Sequence, residues 1–140
     1  MRFPYKGAGI GLVRDGRILI GIRSKKPFIG KWSVPGGGRE KGETYLETAM
    51  REFCEETGCD LSPIQRSYLG SWTLCLPPFF HWTTFFFKTY VSEPSISPSE
   101  FTRLEWISLD EVNSLPCRPF TWFEMRRLRR LLERSQLGSK

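Results

Sequence analysis

The sequence predicts an α/β protein of the α+β kind, an α/β/α sandwich in which a mixed β-sheet lies between helices. Two observations favour this fold. Apolar, β-branched segments occur both before and after one amphipathic helix, and a second amphipathic helix follows near the C-terminus. The length of 140 residues suits one compact core, and we find no repeat or linker, so residues 1–140 are predicted to form a single domain.

The first two strands are predicted to form a hairpin. Ile10–Val13 and Arg17–Ile22 are apolar and β-branched, and the Asp15-Gly16 pair between them is typical of a two-residue hairpin turn. In the second segment the isoleucines at positions 18, 20 and 22 alternate onto one face. A long loop rich in Gly, Pro and Lys follows, with a short strand near Trp32–Val34. Loops this long are more often functional than idle.

A helix is predicted over Thr44–Thr57. Gly42 or Thr44 lies near its start, and Gly58 suits the left-handed conformation that ends a helix. The elements after it are expected in this order: strands at Tyr68–Leu76 and His81–Val91, a polar loop at Glu93–Glu100, a strand at Leu104–Ile107, a helical turn at Leu109–Val112 and a final helix at Trp122–Glu133.

Composition and charge exclude some classes of function. No stretch approaches the ~18 apolar residues of a membrane span, and the N-terminus lacks the apolar segment of a signal peptide. We therefore expect a cytoplasmic protein with no membrane partner. One histidine and four cysteines without a CxxC pair argue against a zinc site. The net charge is +6, and residues 118–140 hold seven basic and two acidic groups. That segment fits a solvated helix face or a surface that attracts anions.

The helix over Thr44–Thr57 carries concentrated negative charge. At about 100° per residue, Glu52, Glu55 and Glu56 fall within about 100° of arc, and an apolar side is formed by residues 46, 49, 50, 53 and 57. Arg51 falls outside the acidic arc, so we expect no protein cation to relieve the repulsion. The glycines at 36–38 let backbone approach an ion or ligand. The pattern therefore predicts that the glutamates hold a hard divalent cation.

These glutamates belong to a longer motif. Gly37, five residues, Glu43, seven residues and then Arg51–Cys59 resemble the Nudix box, G-x5-E-x7-R-E-U-x-E-E-x-G-U, where U is bulky and apolar. Every fixed position is filled over 23 residues, with Cys59 as a small apolar residue at the last U. The segments WSVPGG and LEWISLDEV resemble the family's strand before the box and its late strand and turn. The resemblance implies a Nudix-type α/β/α sandwich.

The resemblance also implies an activity. Nudix enzymes hydrolyse a nucleoside diphosphate linked to another group, X, with Mg²⁺ or Mn²⁺ as the cofactor. In this chain the implied metal ligands are the backbone carbonyl of Gly37 and the carboxylates of Glu52, Glu55 and Glu56. Glu43 and Arg51 are implied to pair and so to brace the loop against the helix.

The implied reaction is in-line attack of an activated water on one phosphorus. The base is left open, because the family uses either a box glutamate or one from a later loop. Glu52 and Glu55 are the candidates within the box, and Glu100 is the candidate in the later loop. An ordinary exposed loop acid is the competing interpretation of Glu100.

Substrate contacts are expected around the long loop before the box. Arg23 and Lys31 flank it and suit phosphates, as do the lysines at 25 and 26, although solvated cations are the competing interpretation. Phe28 and Trp32 lie in a polar segment and are candidates for stacking on a base. Most other aromatic residues are expected in the core.

Three functions stay open from the sequence. The first is hydrolysis of a small nucleotide: a (d)NTP, ADP-ribose or a nucleotide sugar. The second is hydrolysis of an RNA cap or a dinucleoside polyphosphate, which the basic C-terminal segment supports modestly, although an RNA partner is not expected. The third is a non-catalytic Nudix-fold binding module, which ranks lowest because every box acid is kept. A homodimer is compatible with the sequence.

Overall fold

The computed structural model describes residues 4–24, 28–90 and 101–138. Within these ranges the chain forms seven strands and three helices. The strands are β1 Tyr5–Arg14, β2 Arg17–Arg23, β3 Trp32–Ser33, β4 Gly36–Gly38, β5 Arg66–Leu76, β6 Phe80–Thr89 and β7 Phe101–Ser108. The helices are α1 Tyr45–Thr57, α2 Leu109–Val112 and α3 Thr121–Gly138.

The strands form one mixed sheet, as the sequence predicts. Its main order is β3-β2-β1-β6-β5, with β4 paired to β1 and β7 paired to β2. The pairing of β1 with β6 is parallel, and the other pairings between these strands are antiparallel. At the β1–β2 turn Asp15 and Gly16 both have positive φ, 49° and 73°. That conformation matches a hairpin turn whose twist suits the flanking strands.

The sheet packs on both faces. On one face Ala8, Ile10 and Leu12 of β1 form a cluster with Ala49 and Phe53 of α1. On the other face a second cluster joins the sheet to α3, and its members include Val13, Ile18, Ile20, Met125, Leu128 and Leu131. Because successive strand residues point to opposite faces, this arrangement accounts for the apolar character of both β1 and β2. The α/β/α architecture is confirmed.

Some element boundaries differ from those predicted. Gly36–Gly38, which the sequence indicates as loop, is strand β4, because Gly38, Gly37 and Gly36 pair with Gly7, Ala8 and Gly9 of β1. Strand β1 begins at Tyr5 and α3 continues to Gly138, both beyond the apolar segments that predict them. Leu46 was expected on the packed side of α1, but it is 42% exposed since it lies in the first turn.

Two further expectations concern the loop before β7 and membrane-spanning segments. The loop predicted over Glu93–Glu100 lies outside the described residues. No helix in the described ranges has the length and apolar character needed to cross a membrane.

Candidate active site

Helix α1 has a well-defined beginning and end. The Thr44 hydroxyl accepts a hydrogen bond from the Glu47 N–H at 3.1 Å, and the Glu47 carboxylate accepts one from the Thr44 N–H at 2.8 Å. This reciprocal capping box satisfies two N–H groups that an uncapped helix would leave free. At the other end Gly58 is left-handed with φ 71°, and its N–H donates to the Cys54 carbonyl. The caps set the residues at which α1 begins and ends.

Strand β4 lies directly against the acidic face of α1. The Gly36 N–H donates to the carboxylate of Glu56 at 2.7 Å, and Glu56 is only 2% exposed. A Cβ built on Gly37 would lie 2.5 Å from the carboxyl carbon of Glu52, closer than real atoms approach. Position 37 therefore admits only glycine if the Glu52 carboxylate is to stay beside the backbone.

Arg51 bridges the loop and the acidic face. Its guanidinium donates to the Glu43 carboxylate at 2.8 and 3.0 Å and to the Gly38 carbonyl at 3.0 Å. It also reaches Glu52 at 2.9 Å and Glu55 at 3.3 Å. The expectation that no protein cation relieves the glutamate repulsion was wrong, because the long arginine side chain crosses the arc that separates it from the acids.

The same contacts set the ionisation of Glu43. Hydrogen bonds from Arg51, then from the backbone N–H of Glu40, lower the pKa of Glu43 to about 2. The Glu43 carboxylate in turn raises the pKa of Arg51. Both groups are therefore charged at neutral pH. The pair ties the loop after β4 to the helix and holds a cation next to the remaining glutamates.

The donor atoms around β4 suit a hard divalent cation. They are oxygens: the carboxylates of Glu52, Glu55 and Glu56 and the backbone carbonyls of β4. The close approach of Glu52 to Gly37 forms a cradle that any larger residue at 37 would fill. In the described residues no three acidic, histidine or cysteine side chains converge as a ready-made metal cluster. The carboxylates face Arg51 and the Gly36 N–H, and the residues fit the ion by the oxygen chemistry of their donor atoms and by the close approach of Glu52 to Gly37.

A narrow, partly open cleft lies beside β4. It is lined by Tyr5, Arg23, Phe28, Gly36, Phe80, Trp82, Arg118 and Phe120. Burial is the largest influence on Tyr5 and raises the pKa of its hydroxyl, so the side chain stays a neutral donor at physiological pH. The walls therefore combine aromatic rings with two arginines.

The predicted substrate residues separate into two groups. Arg23 and Phe28 line the cleft. Lys31 is exposed and is not one of the lining residues. Trp32 is 5% exposed, packs in the α3-side cluster and has the Arg103 guanidinium 5.9 Å from its ring centre, so its place in the fold is that of a core residue. The lysines at 25 and 26 and Glu100 lie outside the described residues.

The floor of the cleft contains a buried ion pair that the sequence did not predict. Arg118, 4% exposed, donates to Glu124, 0% exposed, at 2.5 and 3.2 Å, and it also donates to the Thr121 hydroxyl at 3.0 Å. The Thr84 hydroxyl donates to Glu124, and the Trp82 indole N–H donates to Thr84 at 2.7 Å. The result is a continuous buried network across the cleft wall.

A sequence signal for this pair exists. Glu124 lies four residues before Leu128 and seven before Leu131, inside the apolar stripe of α3. An acid in such a stripe needs a buried partner. Arg118 and Glu124 were grouped with the basic C-terminal segment, and the solvated-face interpretation is wrong for both. Tyr5, Phe80 and Phe120 were also missed, because they reach the cleft from distant parts of the chain.

Comparison with known proteins assigns the class. The family model for the NUDIX domain matches residues 5–131, so the chain belongs to the Nudix family. It is 31% identical over 114 residues to the Nudix hydrolase YvcI of Bacillus subtilis. That alignment covers 77% of this chain and 68% of the relative. A Mycobacterium tuberculosis protein named as a candidate 8-oxo-dGTP diphosphatase is 31% identical over 106 residues, 71% of this chain and 48% of the relative.

The solved structures agree with that assignment. The crystal structure of a MutT NUDIX hydrolase from Burkholderia pseudomallei superposes with a TM-score of 0.65 at 28% identity and covers 87% of this chain and 95% of that one. This chain spans about two thirds of the Bacillus relative's length and about half of the Mycobacterium relative's. The family, the fold and these relatives indicate an enzyme, a pyrophosphohydrolase.

Proposed function

We propose that this protein hydrolyses the pyrophosphate linkage of a small nucleoside diphosphate-X substrate with Mg²⁺ or Mn²⁺. The observation that carries the proposal is the position of three carboxylates on one face of α1, against the glycine strand β4 and beside an aromatic cleft that contains arginine. The substrate is a (d)NTP, ADP-ribose or a nucleotide sugar. A relative named for 8-oxo-dGTP supports a nucleotide of this size.

The ligands proposed for the ion are Glu52, Glu55, Glu56 and the Gly37 carbonyl. A bound divalent cation would neutralise the charge of the diphosphate and stabilise the departing phosphate. Glu56 is fixed by its hydrogen bond from the Gly36 N–H, while Glu55 has a 52% exposed side chain held by Arg51 at 3.3 Å. Glu55 is therefore the most exposed of the three carboxylates, since the Glu52 side chain is 15% exposed and Glu56 is 2% exposed.

The proton from the attacking water goes to a carboxylate. Glu55 is our first candidate base because it is the most accessible of the three, and Glu52 is the second. Glu100 stays a prediction from the sequence. Arg51 stays charged through its contact with Glu43, and its guanidinium contacts both box candidates, Glu52 at 2.9 Å and Glu55 at 3.3 Å.

The cleft residues are proposed to bind the rest of the substrate. Arg23 suits a phosphate, since guanidinium groups pair with phosphate oxygens in two-point geometry. Phe28 supplies a ring face for a base. Lys31 is a weaker candidate, from outside the lining, and Trp32 would act indirectly by supporting the wall. Location in the cytoplasm, a single domain and a homodimer remain predictions.

The RNA alternative gains little from the basic C-terminal segment. Arg118 is buried, Arg127 donates to the Ser71 carbonyl at 3.1 Å and Arg129 pairs with Asp110 at 3.0 Å. Among the described residues, at least three of the basic groups at 118–140 are thus engaged within the protein. A non-catalytic binding module gains no support either, because the full set of box acids is present.

A substrate panel tests the proposal. We expect the protein, with millimolar Mg²⁺, to convert at least one of dGTP, GTP, ATP, ADP-ribose and a nucleotide sugar to two phosphorylated products, identified by mass spectrometry after reaction in ¹⁸O-water. Label should enter one phosphate product. A folded protein that turns over none of them would contradict the proposal. Fastest turnover of capped RNA, falling steeply with salt, would instead establish the RNA alternative.

A further inference from the structure

We propose that Arg118 reads the base of the substrate and selects a 6-oxopurine, a guanine-type base, over a 6-aminopurine. This inference rests on the proposed function, because it requires a nucleotide in the cleft. It concerns the choice of substrate within that function and depends on different residues from those proposed to hold the metal.

Arg118 is held in a single orientation. Its guanidinium makes an end-on pair with Glu124 through both terminal nitrogens, at 2.5 and 3.2 Å. The centre of the guanidinium lies 4.3 Å from the Phe120 ring and 5.2 Å from the Trp82 ring. Burying such a pair costs desolvation, which packing with apolar residues of similar size would avoid. A fixed donor within a ligand cleft is one role that accounts for this arrangement.

The charge on Arg118 is already neutralised. Glu124 is entirely buried, and both of its oxygens accept from Arg118. A neutral pair attracts a phosphate much less than an unpaired cation does. Arg118 therefore suits a neutral acceptor such as a base edge.

The unused donors of Arg118 form a side-on fork. A guanidinium has five N–H donors. Bonds within the described residues use both donors of Nη1, to Thr121 and Glu124, and one donor of Nη2, to Glu124. The Nε–H and the second Nη2–H have no acceptor in the described part of the chain. These two donors are parallel and adjacent, and Arg118 lines the cleft.

A guanine-type base matches that fork. Its O6 and N7 atoms are adjacent acceptors in one plane, and arginine binds them with two hydrogen bonds in protein–DNA complexes. An adenine-type base presents an acceptor at N7 but an amino donor at the 6-position, which would oppose an arginine donor. The rings of Phe28, Phe80 and Phe120 line the same cleft and suit a flat heterocycle better than a sugar.

The unaltered protein provides the first test. We expect kcat/KM for GTP and ITP to exceed that for ATP by about tenfold to a hundredfold, because one well-formed bidentate pair discriminates at that level. ITP should be close to GTP, since the 2-amino group is not what Arg118 reads. 7-Deaza-GTP, which lacks the N7 acceptor, should fall between GTP and ATP. Equal values for ATP and GTP would overturn the inference. Failure to hydrolyse any nucleotide would overturn the proposed function first and this inference with it.

Substitution of Arg118 provides the second test. Arg118→Lys keeps a cation opposite Glu124 but removes the fork, so kcat/KM should fall more for GTP than for ATP and the GTP/ATP ratio should fall to within about threefold of unity. Arg23→Met is the control: it should lower kcat/KM for both nucleotides and preserve their ratio. A folded Arg118→Lys protein that keeps the full ratio would contradict the inference. If that variant does not fold, the base panel with the unaltered protein decides the question.

Discussion

Glu56→Gln is expected to lower kcat by about a hundredfold or more and to leave the fold intact. In the unaltered protein the Gly36 N–H donates to Glu56 at 2.7 Å. The amide oxygen of glutamine can still accept this hydrogen bond, so the buried contact between α1 and β4 should persist. What is lost is a negative charge proposed to hold the divalent cation. Loss of one charge-stabilising group from an active site commonly costs about a hundredfold to a thousandfold. Steady-state kinetics with Mg²⁺, together with thermal melting, measures both effects.

Glu47→Gln is the matched control for that variant. Glu47 lies on the same helix and also accepts one backbone hydrogen bond, from Thr44 at 2.8 Å. Glutamine serves the capping box as glutamate does. This variant should keep kcat within about twofold of the unaltered protein. If Glu56→Gln kept comparable activity, Glu56 would have no essential part in the reaction and the proposed ligand set would be wrong.

Arg118→Met is expected to destabilise the fold by about 3–5 kcal/mol, because it removes the cationic partner of a fully buried carboxylate. Glu124 would keep only the Thr84 hydroxyl among the partners described above. For a chain of this size the change corresponds to a fall in Tm of about 10 °C or more. Urea unfolding followed by circular dichroism measures the free energy, and calorimetry measures Tm.

Arg129→Met is the control for burial. It removes an exposed ion pair of α3, in which Arg129 contacts an almost fully exposed Asp110 at 3.0 Å. Exposed pairs contribute between about 0 and 1 kcal/mol, so Tm should change by at most a few degrees. Similar losses of Tm in the two variants would mean that the buried Arg118–Glu124 pair contributes no more to stability than the exposed pair.

Local signals explain which elements could be predicted from the sequence. The β1–β2 hairpin follows from Asp15-Gly16, whose positive φ values the turn requires. Helix α1 follows from its period and from Thr44 and Gly58 at its two ends. Strand β4 could not be predicted in this way, because three glycines carry no apolar alternation. Its pairing with β1 joins residues far apart in sequence.

The candidate site likewise contains residues that local spacing predicts and residues that it does not. Three glutamates on one helix face are visible from spacing alone, since α1 fixes their relative positions. The cleft is assembled from β1, β6 and the segment before α3, which contribute Tyr5, Phe80 and Arg118. No local pattern brings these residues together. The reach of Arg51 to Glu52 and Glu55 was also invisible on a helical wheel, which records direction but not side-chain length.

The central claim is that the acidic face of α1 holds divalent cations against a pyrophosphate. The most direct measurement is anomalous X-ray scattering from crystals grown with Mn²⁺ and a non-hydrolysable nucleoside triphosphate. Our account predicts a manganese peak in contact with the carboxylates of Glu52, Glu55 and Glu56, with Glu55 turned away from Arg51. Crystals that contain the nucleotide but show no manganese at this face, with the glutamates still paired to Arg51, would contradict it.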